Sequence, residues 1–488
     1  MTLRKKAIHG AKWSMLQEII GQLLDFFIII ILARLLDPQD FGVITIATVI
    51  ITLMRPFISH GLGVAITQRS EIEKEHLDTA FWSTFITGCL LALFIATSAD
   101  WWAIVFSEPK LGDILTWLSA SVVLISLTTV QEAILRRELN FKVYAIRASI
   151  GKLIGGATGI ALAFYDFGVW SLVGRYLMTS FVSVLLLWSI SRWYPRFLFS
   201  RKHFRELFSF GIKVTMNDLL VLVNRNSDSF LISYFLGSTA LGYYNIAYKL
   251  MSLVFKLVSK TVSQVGMPAF ARLQNDKERL WKAFYDVSQL ISLIVFPVFL
   301  GMLVLVPEIV TSLLGDKWSQ STPVLQILLP IGIVHCLLSP IISILVGAGK
   351  PGRRLRLQAF DAVINLIGFT IAVQWAIVWV AASYVIIGYT LAPLWYWSIT
   401  KIIDIRWIAY IKLILRPLIV TIIMMLVIFS AKWFGFDRIG PINFIALSVT
   451  GGILLYFSMI YLLYPTAVNK VNAIIKTLFA RKKSSNVQ

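Results

Sequence analysis

Apolar stretches long enough to cross a bilayer follow one another along almost the whole chain, separated by short polar connections. A spanning helix needs about 20 apolar residues, and no connection is long enough for a soluble domain of ordinary size. The pattern predicts an all-α polytopic membrane protein with about fourteen transmembrane helices. The predicted spans are 11–36, 41–62, 77–97, 114–135, 144–164, 169–190, 207–236, 240–265, 280–306, 322–346, 355–373, 377–399, 412–434 and 442–463.

The predicted helices group as two pseudo-symmetric lobes of six, followed by a pair. We expect an N-lobe over 1–200, a C-lobe over 201–402, two further helices over 403–465 and a basic cytoplasmic tail over 466–488. Parallel halves of this kind rock about a site near the bilayer midplane in transporters.

An internal repeat with an offset of 200 residues supports this grouping. Polar residues also recur at equivalent depths, because Gln17 and Glu18 align with Asn217 and Asp218. The apolar match needs no gap and pairs Leu36, Phe41, Gly42, Ile46 and Ala47 with Leu236, Leu241, Gly242, Ile246 and Ala247.

Composition and charge fit this topology. The chain is 58% hydrophobic and 14% charged, with a mean hydropathy of +0.78 and a formal net charge of +20. The basic residues concentrate in alternate connections, as in proteins that keep positive loops on the cytoplasmic side. The charge therefore indicates topology and not nucleic acid binding. We expect a multi-pass protein of the bacterial cytoplasmic (inner) membrane with both termini in the cytoplasm.

Charged residues persist inside the predicted spans, where each costs about 2.5–3.5 kcal/mol. Cations outnumber acids there, so internal pairing leaves a surplus of positive charge that an anionic ligand would neutralise. The sequence therefore predicts a central cationic cavity. Its candidate substrate ligands are Arg225, Lys249, Arg55, Lys152, Lys256 and Arg175. The candidates for ion coupling or for a polar cavity lining are Asp25, Glu18, Asp218, Asp228 and Asn224.

The alternative for each of these residues is a structural ion pair. Asp25 would then pair with a neighbouring cation, Asp228 with Arg225, and Asp361 with Lys152. Two further cations, Arg147 and Lys260, lie closer to the cytoplasmic face, where a long side chain can reach the interface.

Motifs for other functions are missing. No phosphate-binding loop of the form G-x-x-x-x-G-K-[ST] occurs, which disfavours ATP-driven transport by this chain alone. No H-E-x-x-H zinc motif occurs, and no predicted outer loop is large enough for a polymerase or ligase site. We therefore expect neither an enzyme nor a cofactor, and no metal site.

Several short strings resemble one family of membrane transporters. They are ARLL at 33–36 with DFG at 40–42, NRNSD at 224–228, LGYYNIAY at 241–248, RRELNFK at 136–142 and GDKW at 315–318. Together they resemble the polysaccharide transporter branch of the multidrug/oligosaccharidyl-lipid/polysaccharide flippase superfamily, especially exporters of colanic-acid or teichuronic-acid type. The likeness covers most of the chain.

This resemblance implies a flippase for surface polysaccharide biosynthesis, covering lipopolysaccharide and exopolysaccharide export. The implied substrate is an undecaprenyl-pyrophosphate-linked oligosaccharide that crosses from the inner to the outer leaflet by alternating access through a cationic cavity. The implied partners are this lipid-linked oligosaccharide, membrane lipids, and a polysaccharide polymerase with its export machinery. The last two helices are expected to form a groove for the polyprenyl tail.

Three other functions stay open at this stage. A multidrug or cation antiporter of the same superfamily should have an acidic cavity, whereas the charges here are mostly basic. A polysaccharide polymerase or ligase should carry a large outer loop. A scaffold that transports nothing is the third.

Overall fold

The computed structural model describes residues 3–191, 193–435 and 439–464. Side chains are described from residue 19 onward, except at 141, 260, 261, 263–265, 268 and 269. The predicted tail at 466–488 and the side chains of Glu18 and Lys260 therefore lie outside the described part of the chain.

Within the described residues the fold consists of sixteen α-helices without any strand. A π-helical turn (Val310–Leu314) and a 3-10 turn (Asp316–Trp318) separate α11 from α12. The helices are α1 Leu3–Leu35, α2 Pro38–Ser59, α3 Leu62–Gln68, α4 Lys74–Thr97, α5 Ala99–Val105, α6 Lys110–Ser126, α7 Thr129–Arg137, α8 Phe141–Phe164, α9 Trp170–Ile190, α10 Arg201–Arg272, α11 Lys277–Ile309, α12 Ser321–Gly347, α13 Pro351–Ala372, α14 Ile377–Ile399, α15 Trp407–Trp433 and α16 Pro441–Leu463.

Ten helices of the described residues are long and apolar enough to cross a membrane. They include α2, α4, α9 and α11 to α16, together with the continuous stretch Lys110–Arg137 that α6 and α7 form. The helices α1, α8 and α10, which carry most of the predicted intramembrane charges, are not among the ten. The all-α multi-span fold is confirmed, whereas the number fourteen stays a prediction.

The chain divides into two compact units. The first comprises Met1–Lys249 with Arg356–Ile387, and in it α8 packs against both α1 and α9. The second comprises Leu250–Leu355 with Gly388–Gln488, and in it α11 packs against α12, α15 and α16. The lobe boundaries predicted from the sequence stay a prediction.

The predicted repeat has a structural counterpart in the first unit. Helix α1 ends just before Asp37, and α10 breaks 200 residues later at Gly237, where φ is +84°. Such a left-handed backbone favours glycine. Beyond each break, equivalent apolar positions are buried, as at Ala47 and Ala247. The same helix–break–helix unit therefore occurs twice in matching register.

Candidate functional site

A polar cavity of about 620 Å³ lies within the first unit. Side chains from α2, α7, α8, α9 and α10 reach it, and its charged lining comprises three guanidinium groups and two carboxylates. These are Arg55, Arg136, Arg147, Glu132 and Asp218. Hydroxyl groups complete the polar lining at Ser59, Thr128, Thr129, Thr179, Ser180 and Ser183.

The end of α2 forms one wall of this cavity. Pro56 follows Arg55 within the helix, and α2 stops at Ser59. The next two residues, His60 and Gly61, both have positive φ values, of 46° and 64°. A Cβ at Gly61 would lie 2.3 Å from the carbonyl oxygen of Gly211, so only glycine allows α10 to approach this closely.

The helix pair α7 and α8 holds the most buried cation of the cavity. The Arg147 side chain is 6% exposed, and its Nη1 lies 2.9 Å from Oε1 of Glu132. Glu132 also lies 3.5 Å from Nη2 of Arg136, one helical turn further along α7. Tyr144 lies between the two arginines, since their guanidinium carbons are 5.2 and 4.9 Å from its ring centre.

Arg147 is not satisfied by these contacts. Its Nε and Nη1 atoms are buried and have no aligned hydrogen-bond acceptor among the described residues. Buried polar groups are normally hydrogen-bonded, and an unmet charged donor is costly. A guanidinium group presents a planar fork of donors that matches phosphate or carboxylate oxygens. The unmet donors of Arg147 thus face the same cavity as the guanidinium groups of Arg55 and Arg136.

Two of the predicted ligands are engaged elsewhere. Lys152 Nζ lies 2.5 Å from one oxygen of Asp25, and Arg175 Nη2 lies 3.0 Å from the other. Asp25 thus pairs with two cations, as the ion-pair alternative predicted for this acid, and Lys152 takes Asp25 as its partner instead of Asp361. One carboxylate offsets only one of the two charges, so this triad from α1, α8 and α9 stays net positive.

Asp228 lies buried in α10 and accepts hydrogen bonds from its own helix. Its Oδ2 accepts one from the Tyr244 hydroxyl at 2.9 Å, and its Oδ1 accepts one from the Ser229 amide at 2.6 Å. No salt bridge of the described side chains includes Asp228, so the expected pair with Arg225 is not formed. One turn earlier, Asn224 buries an Oδ1 atom that has no donor among the described residues.

The remaining predicted residues do not join the cavity lining. Lys249 lies 5.9 Å from the ring centre of Phe41, Arg225 is exposed in α10, and Lys256 belongs to the second unit. Of the predicted residues whose side chains are described, the structure therefore brings together only Arg55 and Asp218 in the lining.

Sequence reasoning missed three of the five charged lining residues, namely Arg136, Arg147 and Glu132. The sequence places Arg147 near the cytoplasmic interface and gives the other two no role in the site. The available signal was the spacing on α7, where Glu132 and Arg136 are four residues apart and hence on one face.

The second unit contains an apolar groove of about 410 Å³ between α11, α15 and α16. Only Ser448 and Tyr456 contribute polar side chains to its lining, and the Tyr456 hydroxyl donates to the Leu293 carbonyl oxygen at 3.0 Å. Glycines at Gly301 and Gly452 leave room between the helices. The groove suits a hydrocarbon chain, and α15 and α16 are the two helices predicted to provide it.

Solved structures share this fold. A structure titled lipid II flippase MurJ, inward closed conformation, matches with a TM-score of 0.76 and covers 94% of this chain and 100% of that chain at 16% identity. An inward-facing multidrug resistance transporter of the MATE family, from the MOP superfamily, matches with a TM-score of 0.65 over 78% of this chain and 94% of that chain, at 16% identity. The chain is accordingly a multi-pass membrane protein.

Curated relatives match over most of their length. The lipopolysaccharide biosynthesis protein WzxC of Escherichia coli is 28% identical over 77% of each chain. The teichuronic acid biosynthesis protein TuaB of Bacillus subtilis is 24% identical over 96% of this chain and 98% of its own. Residues 31–323, more than half of the chain, match the family described as polysaccharide biosynthesis protein, and the chain therefore belongs to that family.

Proposed function

We propose that this protein moves a lipid-linked oligosaccharide across the bacterial cytoplasmic membrane, from the inner to the outer leaflet, for surface polysaccharide synthesis. The observation that carries the proposal is the buried, incompletely bonded guanidinium group of Arg147 in the 620 Å³ cavity. The family membership supports it, as do the relatives named for lipopolysaccharide and teichuronic acid biosynthesis and one named a succinoglycan biosynthesis transport protein.

The chemistry of the proposed substrate explains why the cavity is polar and positively charged. Carrying a pyrophosphate and several sugars through hydrocarbon unaided would strip water from charged and hydroxyl groups, at several kcal/mol for each. Arg147, Arg136 and Arg55 replace that water with charged donors, and the hydroxyl groups around them replace it for the sugars. The substrate is therefore proposed to be an undecaprenyl-pyrophosphate-linked oligosaccharide with its phosphates at these arginines.

The apolar groove gives the lipid tail a place of its own. A polyprenyl chain that leaves the lipid for this groove stays in an apolar environment, because the walls of the groove are almost wholly apolar. We assign the tail to this groove, so that only the headgroup needs a polar path. A polysaccharide polymerase and the export machinery are the proposed partners downstream of the flipped product, and both chain termini are proposed to face the cytoplasm.

Asp228, which is buried, is a stronger coupling candidate than the partly exposed Asp25. Asp25 has two cationic partners, whereas Asp228 has hydroxyl and amide donors only. A buried carboxylate without a cation is costly to keep charged. It therefore takes up a proton or a metal cation, which is the property that coupling to an ion gradient requires. Asp228→Asn should abolish the dependence of transport on that gradient.

The test is transport by the purified protein in proteoliposomes. The probe is undecaprenyl pyrophosphate that carries one fluorescent sugar, and a membrane-impermeant quencher reports its leaflet. Wild-type protein should move the probe, and Arg147→Met with Arg136→Gln should reduce the initial rate more than about tenfold, since charged hydrogen bonds contribute about 1.5–3 kcal/mol each. Arg279→Gln is the matched control, because Arg279 is 78% exposed at the start of α11.

Two outcomes would contradict the proposal. One is equal transport by the double variant and the wild type at matched protein levels. The other is gradient-driven movement of a cationic dye with no movement of the lipid probe, which would indicate the antiporter. The net positive lining argues against that function, because a cationic drug would meet three guanidinium groups and only two carboxylates.

A further inference from the structure

A cluster of two histidines and two glutamates lies outside the cavity, between the start of α4 and the start of α10. Glu73, His76 and His203 each offer a metal-ligating atom, and these three atoms lie within 4.8 Å of one another. Glu206 joins the cluster through its Oε2, which is 3.2 Å from Nε2 of His76. The His76 side chain is only 2% exposed, whereas Glu73 is 68% exposed, so the cluster is open on one side.

The ligand atoms of Glu73, His76 and His203 lie close enough together to share one metal ion. All three lie within 4.8 Å of one another, and Nε2 of His203 lies 3.3 Å from Oε2 of Glu73. Two ligands at about 2.0 Å from a tetrahedral zinc ion are about 3.3 Å apart. The two histidine rings come from two different helices and meet edge to face, with centres 4.2 Å apart.

The neighbours of the two histidines determine which ring nitrogens can coordinate a metal ion. Nδ1 of His203 lies 2.7 Å from the Ser200 hydroxyl, a contact that leaves Nε2 as the ligating nitrogen. Nδ1 of His76 instead accepts the Glu73 amide at 3.3 Å. If Nε2 of His76 is to coordinate a metal ion, Nδ1 must carry the proton. The Glu73 amide must then move away from Nδ1.

We propose that Glu73, His76 and His203 form a site for a divalent transition metal, with Zn²⁺ as the preferred ion and Glu206 beside it. Two imidazoles and a carboxylate suit tetrahedral Zn²⁺ with a water in the fourth position, whereas Mg²⁺ prefers oxygen ligands in an octahedron. Since Glu73 and His76 belong to the start of α4 and His203 to the start of α10, a bound ion would tether these two helices.

The experiment is titration of the purified full-length protein with Zn²⁺ by calorimetry, after removal of any polyhistidine tag. Wild-type protein should bind one Zn²⁺ per chain and should unfold at a higher temperature when Zn²⁺ is present. His76→Gln and His203→Gln should each weaken binding more than about tenfold, because even changes behind the ligands weaken metal affinity 10–100-fold. His335→Gln is the control, since His335 lies in the second unit next to Phe255.

Three results would overturn the site: no Zn²⁺ binding by the wild type, equal binding by both histidine variants, or binding of Mg²⁺ with the same affinity. Glu73→Gln provides a milder second variant, because its exposed side chain contributes little to folding. Its elution as a single folded species, together with weakened Zn²⁺ binding, separates loss of a ligand from loss of the fold. The lipid transport assay is independent of this titration, so either proposal can fail alone.

Discussion

Gly42 and Gly242 make reciprocal contacts across the internal repeat. A Cβ at Gly42 would lie 1.7 Å from the Ser238 carbonyl oxygen, and a Cβ at Gly242 would lie 1.9 Å from the Pro38 carbonyl oxygen. Ser238 is the repeat equivalent of Pro38, so each glycine meets the residue that precedes its counterpart by four positions. The helix that begins at Pro38 and the helical segment that follows Gly237 therefore pack against each other through their main chains, in a two-fold arrangement.

Neither Gly42 nor Gly242 should tolerate replacement by a residue that has a side chain. Since the atom that a Cβ would meet is a main-chain oxygen, no rotamer change relieves the clash, and the helices must separate. We expect Gly42→Ala and Gly242→Ala each to lower the stability by about 1–3 kcal/mol, the usual cost of overpacking. Thermal unfolding in detergent measures the effect.

A third glycine provides the control for this pair. Gly451 lies within α16, and nothing lies within 4 Å of the position that its Cβ would take. Gly451→Ala should therefore leave the unfolding temperature unchanged or raise it slightly, because alanine favours helix over glycine by about 1 kcal/mol. Equal losses in all three variants would show that the reciprocal contact has no special role.

The repeat illustrates how much of the fold the sequence contains. The gap-free match of Gly42 with Gly242 was visible in the chain, and the breaks near Asp37 and Gly237 follow the same register. What the match could not predict is that the two glycines contact each other's segments. A repeat fixes equivalence along the chain, whereas contact depends on how the two copies are oriented.

The candidate site was less predictable, and the reason is electrostatic. Counting charges in the predicted spans identified a surplus of cations, but not which of them are neutralised by partners distant in sequence. Asp25 lies 127 residues from Lys152 and 150 from Arg175. Among the described residues, Arg147 instead shares Glu132 with Arg136. Those pairings depend on helix packing, which hydropathy does not report.

The Arg147→Lys variant tests whether the cavity needs the planar guanidinium group or only its positive charge. Lysine keeps the positive charge but offers a point charge in place of the planar fork that binds phosphate in a bidentate manner. We expect it to raise the lipid concentration for half-maximal transport more than about tenfold, with a smaller effect on the maximal rate, as for loss of a charged hydrogen bond of about 1.5–3 kcal/mol. Wild-type affinity in this variant would mean that charge alone matters.

The triad around Asp25 should behave as one energetic unit. Asp25→Asn leaves Lys152 and Arg175 without their carboxylate, and we expect a loss of about 1–3 kcal/mol of stability. Adding Lys152→Met removes one of the stranded charges and should restore part of the loss. The double-mutant cycle should therefore give a coupling energy of about 0.5–3 kcal/mol. Strict additivity of the two changes would contradict the pairing.

Filling the apolar groove should slow the transport of long-chain lipids more than that of short-chain lipids. Val449 lines the groove on α16, and Val449→Trp adds an indole where the polyprenyl chain is proposed to lie. Leu447, two residues earlier on the same helix, is 52% exposed and outside the lining, so Leu447→Trp is the matched control. We expect Val449→Trp to slow an undecaprenyl probe several-fold more than a short-chain analogue with the same headgroup, because only the long chain needs the full groove. If both probes slow equally, or if Leu447→Trp has the same effect, the tail does not occupy this groove.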